Sequence, residues 1–126
     1  MGRTWVTTGA MAGFLVVALG AFGAHGLEGH LPARHLGWWK KAVDYHGLHA
    51  LALLACGLLG AHRPSRAADV AGWAFVAGIV LFSGSLYLLA LTGQRWLGAV
   101  TPFGGTAFLV GWAALALAAR RLPDAP

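Results

Sequence analysis

The side chains with most chemical capacity sit in one short run, Asp44-Tyr45-His46-Gly47-Leu48-His49. On a helix, His46 and His49 stand i, i+3 and share a face. That face continues through Ala42, Ala50, Leu53 and Gly57, so it is expected to look into a helix bundle. Tyr45 stands four residues before His49, within hydrogen-bonding reach. Asp44 lies about 140–160° around the helix from either histidine, which places it beside Lys40 and Lys41 and argues against a direct Asp–His relay. Three chemistries compete for this set. A metal needs three or four ligands, which His46 and His49 supply only with help from His25. A single imidazole suffices for axial haem ligation or a quinone contact. The plainest use is a neutral polar network in which the histidines bridge helices 1, 2 and 4, the interhelical hydrogen bonding common in membrane bundles. The network is the preferred reading, and a metal, haem or proton site on His25, His46 and His49 is the alternative. No cofactor is expected.

Signatures of soluble enzymes are missing. Gly104-Gly105 and Gly20–Gly23 lack the strand and loop context of a phosphate cradle. Ser83-Gly84-Ser85 has no strand-turn-helix setting for a nucleophile. Whether the protein is an enzyme stays open, with the balance against it.

The composition names the solvent of the elements that hold these groups. Of the 126 residues, 58% are hydrophobic and 10% charged. A soluble domain is about 25% charged, so lipid is the natural surrounding. The net charge of +5 comes from residues scattered through short connectors. Without a basic stripe or arm, nucleic acid is not an expected partner. The single cysteine, Cys56, excludes an internal disulfide and a Cys-based zinc site.

Four apolar stretches, about 5–24, 39–61, 68–92 and 98–119, are each long enough to cross a ~30 Å hydrocarbon core. The first exceeds a signal-peptide core and is expected to remain as a helix. Trp5, Trp38, Trp39, Trp73 and Trp96 fall near span ends, where indoles favour the interface. With the N-terminus inside, Arg3, Arg63, Arg66, Arg120 and Arg121 lie on the inner side, against Arg34, Lys40, Lys41 and Arg95 outside. The positive-inside bias therefore orients both termini to the cytoplasm. In that arrangement the first and third connectors share a side. They bring His25, Glu28, His30, His35, Gln94, Arg95 and Thr101 together, so a pocket is expected there with His49 at its floor.

Small residues mark expected helix contacts. Gly9, Gly13, Gly20 and Ala24 form a stripe on helix 1, and Ala107, Gly111, Ala114 and Ala118 one on helix 4. Helix 3 has two such faces, one with Gly72, Ser83 and Ala90, the other with Ala74, Gly78 and Ser85. Pro102 is expected in the first turn of helix 4, where a missing N–H costs little.

Four segments carry a resemblance: Gly20-Ala-Phe-Gly-Ala-His-Gly-Leu27, Tyr45-His-Gly-Leu-His-Ala-Leu-Ala-Leu53, Phe82-Ser-Gly-Ser-Leu-Tyr87, and Thr101-Pro-Phe-Gly-Gly105 leading to Gly111-Trp112. In this order they resemble the small four-helix membrane family catalogued as domain of unknown function 423, also called the transmembrane protein 256 family. The resemblance implies a bacterial inner-membrane protein without an assigned activity, and no catalytic residues to carry over. It also implies that the position of His46 can be Gln while those of His25 and His49 are usually His, which favours the network over a two-histidine metal pair.

The expectation is therefore an all-α protein, one domain over 1–126, a bundle of four transmembrane helices. His25, Tyr45, His46, His49 and Thr101 line its polar pocket. Gly9, Gly13, Gly20, Gly78, Ser83, Ser85 and Gly111 pack its helices. The expected role is a non-enzymatic binding or accessory module for a lipid, a small hydrophobic ligand or a larger membrane complex. Its expected partners are the bilayer and a homo-oligomer or larger membrane assembly.

Overall fold

The computed structural model describes residues 1–125; Pro126, the last residue of the expected domain, lies outside them. Four helices are long and apolar enough to span a membrane: α1 Gly2–Leu27, α2 Ala33–His62, α3 Arg66–Thr92 and α4 Leu97–Arg121. Their 25 to 30 residues extend about 38–45 Å, beyond the ~30 Å hydrocarbon core. Each therefore overruns its apolar stretch into the interfacial zone, because the backbone ladder continues where the hydropathy has already fallen.

The breaks between helices have local causes. Gly29, at φ 84°, takes the left-handed turn after α1, and Pro32 precedes the first turn of α2. Ser65 caps α3, its Oγ accepting from the Ala68 N–H at 3.0 Å. Gly93, at φ 70°, ends α3 and donates its N–H to the Leu89 carbonyl at 2.8 Å. Pro102 is the sixth residue of α4, not in its first turn as expected, so the i−4 carbonyl of Gly98 loses its ladder donor.

Helix α2 is the central element. It packs along α1 on one side and α3 on the other, while α4 packs along α3 and meets α2 only sparsely. Among the described residues α1 and α4 share no extended contact. Close backbone approach makes the α1–α2 seam: a Cβ on Gly57 would lie 2.6 Å from the Val6 nitrogen, and one on Gly9 2.9 Å from the Leu54 nitrogen. Aromatic rings fill the α3–α4 seam. Gly78 receives Phe108, Gly111 receives Phe75, and Gly104 rests on the backbone of Phe82. One of the expected contacts on helix 1 needs correction. A Cβ on Gly13 would meet nothing within 4 Å, whereas one on Gly20 would touch Val43 of α2 at 3.5 Å. Ala12, one residue away, is the buried position, so the true stripe is rotated from the one the glycines suggest.

Two of the tryptophans expected at the interface are interior. Trp5 is buried over Gly72, and its indole N–H donates to Asp69 Oδ1 at 2.9 Å. Trp39 is buried over Gly23 and donates to the Leu19 carbonyl at 2.9 Å. Each ties α1 to another helix, one at either end. Trp73 and Trp96 are exposed, as an interfacial role requires.

Candidate functional site: the polar and aromatic seam of α2, α3 and α4

The second half of α3 opens into a π-helical stretch at Ile79–Gly84. Such a stretch moves carbonyls off the regular ladder and is frequent at functional sites. Here Ser83 and Ser85 leave it in different directions. The buried Ser83 hydroxyl donates to the Ala42 carbonyl of α2 at 2.8 Å. Ser85 Oγ contacts the Thr101 hydroxyl of α4 at 2.6 Å and donates to the Phe82 carbonyl at 2.9 Å. Thr101 thus belongs to the α3–α4 contact and not to a histidine pocket.

His46 and His49 are both buried on the inner face of α2. His46 Nδ1 pairs with the Tyr87 hydroxyl of α3 at 2.9 Å, and the imidazole also meets the backbone of Ala12 on α1. His49 is held at both nitrogens. The Trp112 indole N–H of α4 donates to Nε2 at 3.0 Å, and Nδ1 lies 2.6 Å from the Tyr45 carbonyl. An indole N–H can only donate and a carbonyl can only accept. Both partners therefore demand the same neutral tautomer, protonated at Nδ1. The ring stacks on Phe108 at a centroid distance of 3.5 Å and 6° between planes. The network does not bridge helices 1, 2 and 4 as expected. It joins α2 to α3 and α4, with α1 contributing backbone at His46.

His25 stands apart. It is exposed in the π turn Gly23–Leu27 that closes α1. Among the described residues no three His, Cys, Asp or Glu side chains are close enough to hold a metal ion. The proposed ligand set His25, His46 and His49 is not assembled, and His49 has no nitrogen to spare. His35, expected among the polar groups of a pocket on the first-connector side, instead contacts the Ala90 carbonyl through Nδ1 at 2.8 Å and closes the end of α3.

The expected pocket, entered from the first connector with His49 at its floor, is also corrected. Of two clefts on that side, one lies between α1 and α2 and is lined by Gly23, Glu28, Trp39, Lys40 and Asp44, the other is lined by Arg34, Trp38, Leu89, Arg95 and Gly98, and His49 lines neither. His49 instead edges a groove of about 440 Å³ that faces sideways between α2 and α4. Phe82, Phe108 and Trp112 form its aromatic wall, with Tyr45, Leu48 and Leu109 along its lips. The sparse packing of α4 on α2 leaves the groove open, and Pro102 and Gly105 keep its upper part free of bulk. Tyr45 is 42% exposed and packs against Phe82 with ring centroids 4.4 Å apart and planes tilted by 38°. A flat, apolar, laterally open surface of this kind can take up an apolar chain. Its buried polar atoms are already paired.

Known proteins match this chain along most of its length. UPF0382 membrane protein YwdK of Bacillus subtilis is 48% identical over 119 residues, covering 93% of this chain and 96% of that one. A UPF0382 membrane protein of Staphylococcus epidermidis is 47% identical, covering 92% and 94%. One from Haemophilus influenzae is 43% identical, covering 92% and 93%. No solved structure matches. The family model described as protein of unknown function (DUF423) matches residues 19–105. With four helices long and apolar enough to span a membrane and relatives named as membrane proteins, the chain belongs to the DUF423 family of membrane proteins of unknown function.

Proposed function

We propose that this protein is a non-enzymatic membrane module that binds an apolar chain in the lateral groove between α2 and α4. The observation that carries the reading is the groove itself: aromatic walls, exposed apolar lips at Tyr45, Leu48 and Leu109, and a buried histidine whose nitrogens are both engaged. Ligand sites are mostly apolar with few polar groups, and a groove of this size falls in their usual range of roughly 300–1,000 Å³. Engaged nitrogens favour this reading over the metal, haem or proton alternative. Within this reading the protein sits in the bacterial inner membrane, as the family resemblance implies, with both termini cytoplasmic, an orientation favoured by the arginine pairs Arg63/Arg66 and Arg120/Arg121 in short flanks.

The test is photo-crosslinking in proteoliposomes with a phosphatidylcholine carrying a diazirine in its acyl chain. Adducts should concentrate on the segments around Leu48 and 105–112. Gly105→Leu should reduce them, because a side chain there enters the groove without a clash; the nearest atom to its Cβ is Phe82 Cδ2 at 3.9 Å. Adducts spread evenly over exposed positions such as Phe14 and Val17 would overturn the reading. A second protein captured at the groove would replace it with assembly into a larger complex.

A further inference from the structure

The groove does not stand alone on its seam. Toward the first-connector side, a second cleft of about 420 Å³ is lined by Arg34, Trp38, Leu89, Arg95 and Gly98. Arg34 comes from the first turn of α2 and Arg95 from the connector before α4, so two chain segments bring guanidiniums to one cleft. No carboxylate lines it. The acids on this side of the protein, Glu28 and Asp44, sit with Lys40 in the separate cleft between α1 and α2. The first amides of α4 are already used, since Leu97, Gly98 and Ala99 donate to the carbonyls of Gln94, Arg95 and Trp96. Anion binding here therefore rests on the guanidiniums.

The two clefts are aligned. At 100° per residue, Arg34, Trp38, Lys41, Tyr45, Leu48 and His49 fall within about 100° of arc on α2. On α4, Gly98, Pro102, Gly105, Leu109 and Trp112 fall within about 80°. Both stripes run from the charged cleft to the aromatic groove. From Trp38 to Leu48 the helix rises about 15 Å, half of a ~30 Å hydrocarbon core and so the depth of one leaflet. Two cations therefore sit at headgroup level above an apolar track that ends near mid-membrane.

We infer that the seam binds a phospholipid, with Arg34 and Arg95 holding the phosphate of the headgroup, Trp38 at the glycerol level and one acyl chain lying in the groove beside Tyr45, Leu109 and Trp112. The inference rests on the groove reading and adds the headgroup chemistry. Guanidinium forks match phosphate oxygens, and charge-assisted hydrogen bonds are the strong ones. Lys41, on the same face, adds attraction for a net negative headgroup.

The experiment is native mass spectrometry of the detergent-solubilised protein with added dioleoylphosphatidylglycerol, dioleoylphosphatidylcholine, dioleoylglycerol or inorganic phosphate. Phosphatidylglycerol should be retained best, phosphatidylcholine next, and dioleoylglycerol weakly, because it lacks the phosphate. Arg34→Gln/Arg95→Gln should lower phosphatidylglycerol retention about tenfold and leave dioleoylglycerol unchanged. Both arginines are exposed, so the variant should fold, and Arg34→Lys/Arg95→Lys should recover part of the loss. Arg63→Gln/Arg66→Gln, at the opposite end, should have no effect. Full retention by the Gln pair, or equal binding of dioleoylglycerol, would overturn the headgroup assignment. Inorganic phosphate binding as tightly as the lipid would reassign the cleft to a free anion. The groove is read separately: Gly105→Leu should weaken dioleoylglycerol and phosphatidylglycerol alike. If it weakens neither, the groove reading fails even where the arginine effect holds.

Discussion

The His49–Trp112 bond can be isolated by a double-mutant cycle of His49→Leu and Trp112→Phe. In the single His49→Leu variant three things are lost: the bond from Trp112 at 3.0 Å, the bond to the Tyr45 carbonyl at 2.6 Å and the stack on Phe108 at 3.5 Å. Interhelical hydrogen bonds in membranes average ~0.6 kcal/mol, the Tyr45 bond within α2 is taken at about 0.5 kcal/mol, and an aromatic stack adds about 0.5–1.5 kcal/mol. The sum for His49→Leu is about 2 kcal/mol. His49→Gln should cost roughly 1 kcal/mol, because an amide oxygen can still accept from the indole. The Tyr45 bond and the stack disappear from both the single and the double variant, so they cancel in the cycle. What remains is the Trp112 bond, with an expected coupling of ~0.6 kcal/mol and a ceiling of ~1.7 kcal/mol. The assay is unfolding by sodium dodecyl sulfate in mixed micelles, followed by far-UV circular dichroism so that the lost tryptophan does not distort the signal. A chelator should leave every midpoint unchanged. Zero coupling would refute the bridging tautomer, and a chelator-sensitive wild type with equally crippled Gln and Leu variants would restore the metal alternative.

Three further outcomes follow from the packing and the topology. Gly57→Leu should destabilise the protein in a detergent melt, since its Cβ would lie 2.6 Å from the Val6 nitrogen, while Gly13→Ala should be tolerated because nothing lies within 4 Å; equal melting temperatures would show that the α1–α2 seam is misassigned. Asp69→Leu should cost about 1 kcal/mol and shift Trp5 fluorescence, whereas Asp69→Asn, which keeps an acceptor for the indole, should cost less; indistinguishable melts would remove the α1–α3 tie. A periplasm-only reporter fused to the C-terminus should be inactive, and its activity would reverse the orientation and turn the arginine cleft toward the cytoplasm.

The spans were legible because hydropathy over about 20 residues measures directly what lipid demands. Rotation about each helix axis was harder to read. Gly and Ala are so frequent on α1 that several faces qualify, and a stripe containing Gly13 competes with the one through Ala12 that is buried. Tryptophan at a span end reads as an interfacial anchor, yet Trp5 and Trp39 found acceptors inside the protein, at Asp69 and the Leu19 carbonyl. The His46–His49 pair was visible from its i, i+3 spacing. Its partners Tyr87 and Trp112 were not, because which helix faces α2 depends on the packing of α3 and α4. The π stretch at Ile79–Gly84, which turns Ser83 and Ser85 toward different neighbours, leaves no mark in composition or periodicity. The arginine cleft was hidden for a similar reason. Arg34 and Arg95 lie 61 positions apart, and as a sequence feature each is an ordinary flanking charge.

The most direct test of a lipid-binding seam is nuclear magnetic resonance of the protein in nanodiscs of phosphatidylglycerol and phosphatidylcholine, reading cross-relaxation between acyl methylenes and side chains. Phe14 and Val17 are 77% and 73% exposed on α1 and serve as the reference for passing bilayer lipid, against Leu109, 71% exposed at the groove lip. Stronger contacts at Tyr45, Leu109 and the Trp112 indole than at Phe14 and Val17, reduced by Gly105→Leu, are the predicted result. Equal intensities on all these residues, unchanged by Gly105→Leu, would contradict the account.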